Sequence, residues 1–155
     1  MAKMELKYQG ALAQLQAPRS KPAWIGLEWI EERTDNKSSW IAVTLNLNGE
    51  LVTALSPALP VKKARHGVGR TALATLKAIE LLVHHRFSCE LLDVELVHAL
   101  KTALIMVRVR LLLDDETVEL FGSARVEDHD FHDAAARAAL DATNVYIDSI
   151  LSPHD

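Results

Sequence analysis

Two stretches of this chain hold the residue types that do chemistry. In the first, Lys62-Lys63-Ala64-Arg65-His66-Gly67-Val68-Gly69-Arg70, four cations and two glycines stand just ahead of an amphipathic run. Glycines before a helix leave backbone N–H groups open at its positive end, so a carboxylate or phosphate can be held there with help from the cations. Gly67, Val68, Gly69 and Arg70 are therefore the candidate ligand-binding residues; the competing reading is a solvated basic turn. It is not a Walker loop, because the Gly-Lys-Ser/Thr ending is absent, nor a dinucleotide fingerprint, which needs three ordered glycines. The second stretch, Asp128-His129-Asp130-Phe131-His132-Asp133, mixes carboxylates with imidazoles. Its spacing does not build a metal site: the two histidines share a helical face only if the helix begins early, and acids before a helix are ordinary caps. No metal, cofactor or catalytic residue is assigned, and neither Gly-x-Ser-x-Gly nor His-Glu-x-x-His occurs.

The elements that would position these stretches follow from periodicity. Trp24 to Ile30 is rich in strand formers, and Trp40 to Leu47 alternates, putting Ile41, Val43, Leu45 and Leu47 on one face. Asn48-Gly49 suits a two-residue type I′ turn, after which Glu50 to Leu55 returns antiparallel. Ser56 to Lys63 holds two prolines and cannot be an internal strand. The helix Arg70 to His85 presents Ala72, Leu73, Leu76, Ile79 and Val83 to a core. The order then repeats: Cys89 to Ala99 and Leu104 to Leu113 alternate, Asp114-Asp115-Glu116 turns, Thr117 to Val126 comes back, and an alanine-rich helix closes the unit. Aligning Trp24 with Cys89 and Trp40 with Ile105 gives a period of about 65 residues. The expected fold class is α+β, two pseudo-symmetric βββα repeats, each a three-stranded antiparallel sheet with one helix. Residues 1–22 read as an arm or linker, and 23–155 as one domain with repeats over 23–86 and 87–151. A three-stranded sheet with one helix is too small to stand alone, so the halves should pack together or against a second subunit.

With 155 residues, 49% apolar and 25% charged, the chain is sized for one ordinary soluble domain. A net charge of -4 argues against broad nucleic-acid or anionic-membrane binding. Cys89 is the single cysteine, which excludes an intrachain disulfide and a thiolate cage; it reads as packed rather than reactive. The N-terminus lacks a signal-peptide pattern and no apolar run reaches bilayer length, so the expected location is cytoplasmic.

Three spans together resemble the C-terminal regulatory domain of 2-isopropylmalate synthase. They are Glu90-Leu91-Leu92-Asp93-Val94 leading to His98-Ala99, the alternating Val107 to Leu111, and the helix Asp130 to Asn144 with its alanines and closing Asn. Gly67-Val68-Gly69-Arg70 and Ala74-Thr75-Leu76-Lys77-Ala78-Ile79 are similar to that family's glycine loop and following helix. The resemblance covers roughly Trp24 to Leu151. It implies two βββα units, a dimer, and an amino-acid effector near the glycine loop, without catalysis, since the synthase reaction belongs to a separate barrel. This chain departs from the family pattern at Val94, where a tyrosine is usual, in lacking the loop proline, and over Phe121 to Arg125.

The function expected from these residues is a non-catalytic small-molecule-sensing and dimerisation module that binds an amino acid or keto acid. The alternative is a ligand-free assembly module that docks a partner protein, which the departures at Val94 and Phe121 favour. A dimer is also expected from the alanine flank Ala134 to Ala142 and from Trp24, Trp29 and Trp40, which together offer more apolar surface than one half can cover.

Overall fold

The computed structural model describes residues 24–57, 59–60 and 68–151. In chain order they form β1 (Ile25–Thr34), β2 (Ser38–Leu47), β3 (Glu50–Leu55), the two-residue β4 (Leu59–Pro60), α1 (Val68–Leu82), β5 (Ser88–Ala99), β6 (Thr102–Leu112), β7 (Thr117–Arg125) and α2 (Phe131–Leu151). This is the expected α+β duplication. One antiparallel sheet runs β1-β2-β3, the other β5-β6-β7, and a helix follows each. β4 pairs with Ser38 and Ser39 of β2, which adds a short fourth strand to the first sheet and uses the Pro-containing stretch at an edge, where a missing N–H is tolerated. The N-terminal arm, residues 1–22, lies outside the described residues.

The repeat is visible in its irregularities. The β1–β2 register shifts between Leu27 and Trp29, and the β5–β6 register between Leu91 and Asp93, so Glu28 and Leu92 are the bulged residues. They stand 64 positions apart (28 to 92). The same offset relates Val43 to Val107, whose cross-strand partners are Ala54 and Gly122. It corrects the sequence alignment by one residue: Ile25, not Trp24, is the counterpart of Cys89. In a strand a shift of one exchanges the two faces, so the correction decides which side chains are equivalent.

Alternation fills the inner faces as expected, with Ile41, Val43 and Leu45 buried on one sheet and Ile105, Val107, Val109 and Leu111 on the other. Both helices belong to the same continuous core. α1 packs on β2 and β3 and reaches β5; α2 packs on β7 and β6 and reaches β1; the helices also pack on each other. Each helix thus covers its own sheet and the first strand of the other half. The alanine flank of α2 is consequently not exposed: Ala134, Ala135, Ala136, Ala138, Ala139 and Ala142 are all buried within one chain. Small side chains permit this, and the closest approach is at Gly122 of β7, where an added Cβ would collide with the Ala138 carbonyl oxygen.

The outer faces differ in chemistry. On the second sheet Arg110 bridges Glu90 at 3.1 Å and Glu119 at 3.5 Å, and Arg108 lies 3.7 Å from Glu119, a charged ladder suited to water. On the first sheet Trp29, Leu51 and Leu55 are exposed around the buried Ala42 and Thr44 of β2. Trp24 and Trp29 are about half exposed, at 57% and 50%. Among the described residues no helix is long and apolar enough to cross a membrane.

Candidate functional site

Each half has a seam where the N-terminus of its helix meets the first strand of the other half. At the α1 seam lie three of the four candidate ligand-binding residues; Gly67 lies outside the described residues. Val68 and Gly69 are half-buried and open the helix. The nearest group to a Cβ built on Gly69 is Val94 Cγ1 of β5, at 3.8 Å, so the helix opening and the strand face one another. Arg70 turns inward instead. It is 6% exposed, donates through Nη1 to the Ser39 carbonyl at 2.8 Å, and places Nη2 3.8 Å from Glu32 Oε2, which also accepts from Ser39 Oγ at 2.9 Å. Its Nε is buried with no hydrogen-bond partner. Arg70 therefore ties α1 to the ends of β1 and β2, and the described part of the opening is Val68 and Gly69.

The α2 seam is closed at its helix end by Asp130. Its Oδ1 accepts from the Asp133 N–H at 3.0 Å while its carbonyl accepts from Ala134 N–H at 3.3 Å, an N-cap as the acidic run led one to expect. Asp128 and His129 form the preceding turn with positive φ (54° and 58°), and His132 places Nδ1 2.7 Å from Thr71 Oγ1 across the helix pair. The acidic stretch is thus capping and packing chemistry. No group of three His, Cys, Asp or Glu side chains able to hold a metal occurs among the described residues.

Beside this cap lies a cleft of about 270 Å³, walled by β1 from Leu27 to Glu32, with Ile41 beneath and Asp130, His132, Asp133 and Arg137 of the α2 end opposite. Sequence reading did not single it out, because β1 reads simply as a strand and its residues are far from α2 in the chain. The available signal was the repeat itself: the constant offset of 64 makes Ile30, which lines the cleft, the counterpart of Val94, the strand residue that faces Gly69.

Cys89 lies at the start of β5 by the C-terminal end of α1, where its N–H donates to Glu80 Oε2 at 2.5 Å. Burial pushes the thiol pKa well up, and the Glu80 carboxylate adds to the shift, which favours the protonated thiol over the thiolate. No protein-family model matches this chain, and no curated protein matches it significantly.

Proposed function

We propose that this chain is a non-catalytic small-molecule-sensing module, similar to the 2-isopropylmalate synthase regulatory domain, that takes the carboxylate of an amino acid or keto acid at the opening of α1. The observation that carries this reading is the contrast between the two helix ends. α2 is closed by the Asp130 carboxylate with Asp133 in its first turn, whereas α1 has no acidic residue in its first turn. Nor does the run from Val61 to Gly67 contain a Ser, Thr, Asp or Asn to cap it. A positive helix end preceded in sequence by Lys62, Lys63 and Arg65 favours an anion. Thermal-shift titration with leucine, 2-oxo acids and phosphate tests it. Stabilisation by a carboxylate, lost in Gly69→Val, is the expected result; no stabilisation by any anion, with Gly69→Val behaving as wild type, rejects it.

The second reading is an assembly module, a homodimer or a partner-binding domain with no effector. Its support is the apolar outer face around Trp29, Leu51 and Leu55, set against the charged ladder of the other sheet. Sedimentation at high micromolar concentration separates the outcomes, because a monomer there excludes self-association through this face.

A further inference from the structure

The outer face of the first sheet has a closed floor between open walls. Cross-strand pairs set Trp29, Thr44 and Thr53 in one row, Glu31, Ala42 and Leu55 in the next, and Asn46 beside Leu51. Ala42 and Thr44 point away from the Ile41, Val43 and Leu45 face on which α1 packs, yet they are 1% and 2% exposed. Ala42 also stands apart from the hydrophobic core cluster. Trp40, further along the same side of β2, buries its Nε1 with no hydrogen-bond partner among the described residues. The flanking Trp29, Leu51 and Leu55 remain 50%, 49% and 41% exposed, so they wall a groove along β2 without filling it.

This groove has the dimensions of a helix. β1 and β3 each lie about 4.8 Å from β2, so the walls stand about 10 Å apart, close to a helix diameter of about 10–12 Å. Its floor from Trp40 to Asn46 runs about 20 Å. Residues 1–23 precede the first strand, which begins at one end of the groove, where Ile25 pairs with Leu47. Among them Met4, Tyr8, Ala11, Leu12 and Leu15 recur at i, i+4, i+7, i+8 and i+11, a helical stripe of about 100° with Gln9, Gln14 and Gln16 off it. Leu6 is the large apolar exception. Wound as a helix, Met4 to Leu15 is about 18 Å long, which matches the floor. Pro18 and Pro22 then suit an extended link back to the strand. Charge fits as well, since residues 1–22 carry Lys3, Lys7, Arg19 and Lys21 against Glu5, whereas exposed Glu28 and Glu31 border the face and only Glu31 is met there, by Arg33.

We propose that residues 4–15 form an amphipathic helix that packs on the outer face of the first sheet of the same chain, with Met4, Tyr8, Leu12 and Leu15 laid along Ala42 and Thr44 between Trp29 and the leucines Leu51 and Leu55. The occupant is the chain's own arm because a tethered segment meets the face at an effective concentration near millimolar. Two copies of the face would instead oppose their Glu28 and Glu31 borders. Small residues beneath a helix are already the device by which α2 approaches Gly122. The face that supports the assembly reading is then occupied from within, and self-association through it requires release of the arm. The α1 opening takes no part, so effector binding and arm docking are tested separately.

The three tryptophans of the chain, Trp24, Trp29 and Trp40, lie on β1 and β2 or immediately before them, so acrylamide quenching of the full chain's fluorescence reads the covering. Leu12→Asp with Leu15→Asp should raise the quenching constant at least twofold. Gln9→Asp with Gln14→Asp, equal in charge but off the stripe, should leave it unchanged. Wild-type quenching should be the same at low and high micromolar concentration. Trypsin should cut after Lys7 at least tenfold more slowly than in a synthetic peptide of residues 1–16, a comparison that needs no variant. Equal quenching in wild type and the Leu12 and Leu15 variant, an equal rise in the glutamine variant, or cutting after Lys7 at the peptide's rate would overturn the proposal. Shielding that appears only as concentration rises would also overturn it and assign the face to a second copy.

Discussion

The Asn144 side chain bonds to the backbone of Ile25 as a neighbouring strand would. Its Oδ1 accepts from the Ile25 N–H at 3.0 Å and its Nδ2 donates to the Ile25 carbonyl at 3.1 Å, at a fully packed position. The counterpart in the other half is Glu80, whose carboxylate accepts from the Cys89 N–H. Both partners lie 64 residues apart (25 to 89, 80 to 144), so each helix secures the first strand of the opposite repeat. Asn144→Ala strands a buried donor and acceptor. It should cost about 2–4 kcal/mol in chemical denaturation, given about 1–3 kcal/mol per buried unsatisfied group. Glu80→Ala, which strands only a donor, should cost less.

Gly122 is where α2 touches its sheet, with the Ala138 oxygen and the Ala142 backbone both closer than a Cβ tolerates. Gly122→Ala must separate helix from strand and should lower stability by about 3 kcal/mol, at or above the usual range for overpacking. At the equivalent position the first half carries Ala54, which is buried without disruption. Ala54→Gly should therefore cost only about 1 kcal/mol, a difference that thermal melts of the two variants will show.

Leu100 and Lys101 form the β5–β6 turn with φ of 51° and 62°, the left-handed region that L side chains avoid. Leu100 is 98% exposed, so no packing compensates. Replacing the pair with Asn-Gly, the residues already used at Asn48-Gly49, should raise stability by about 1 kcal/mol or more. An unchanged or lower Tm would contradict this.

The Cys89 thiol has its pKa raised in the folded protein by burial and by Glu80. Its neutral form is therefore favoured by folding. The associated stability is present below the ordinary thiol value near 9.0 and is lost progressively as pH rises above it. Cys89→Ala should flatten stability between pH 9 and pH 11. Iodoacetamide at pH 8 should label the native chain at least tenfold more slowly than the denatured one.

At the acid end, Asp35 Oδ1 accepts from the N–H groups of Lys37 and Ser38, both at 2.8 Å, and these bonds hold its carboxyl below the ordinary value. A lowered folded value means stability that is present above about pH 4 and disappears as pH falls through the carboxyl's titration. Asp35→Asn should weaken the acid dependence of unfolding and shift its midpoint little at neutral pH.

Local patterns by themselves determined much of this protein. Alternation around Val43 and Val107, the Asn48-Gly49 turn and the acidic cap at Asp130 depend on neighbours within a few residues, so the two βββα units are legible in the amino-acid sequence. The one-residue error in the repeat had a physical origin as well. Apolar alternation shows that a strand is present but not its absolute register against the other repeat, and only the cross-strand pairs and the matching bulges at Glu28 and Leu92 fix it. Tertiary structure alone decided what the repeat does. It buried the alanine flank that read as a partner surface, because both halves close over it, and turned Arg70 from a ligand candidate into a clamp on Ser39 and Glu32. It also brought Leu27, Ile30 and Glu32 of β1 beside Asp130 and His132, which are distant in sequence, to form the cleft. Such a site depends on how two elements meet, and no local pattern records that.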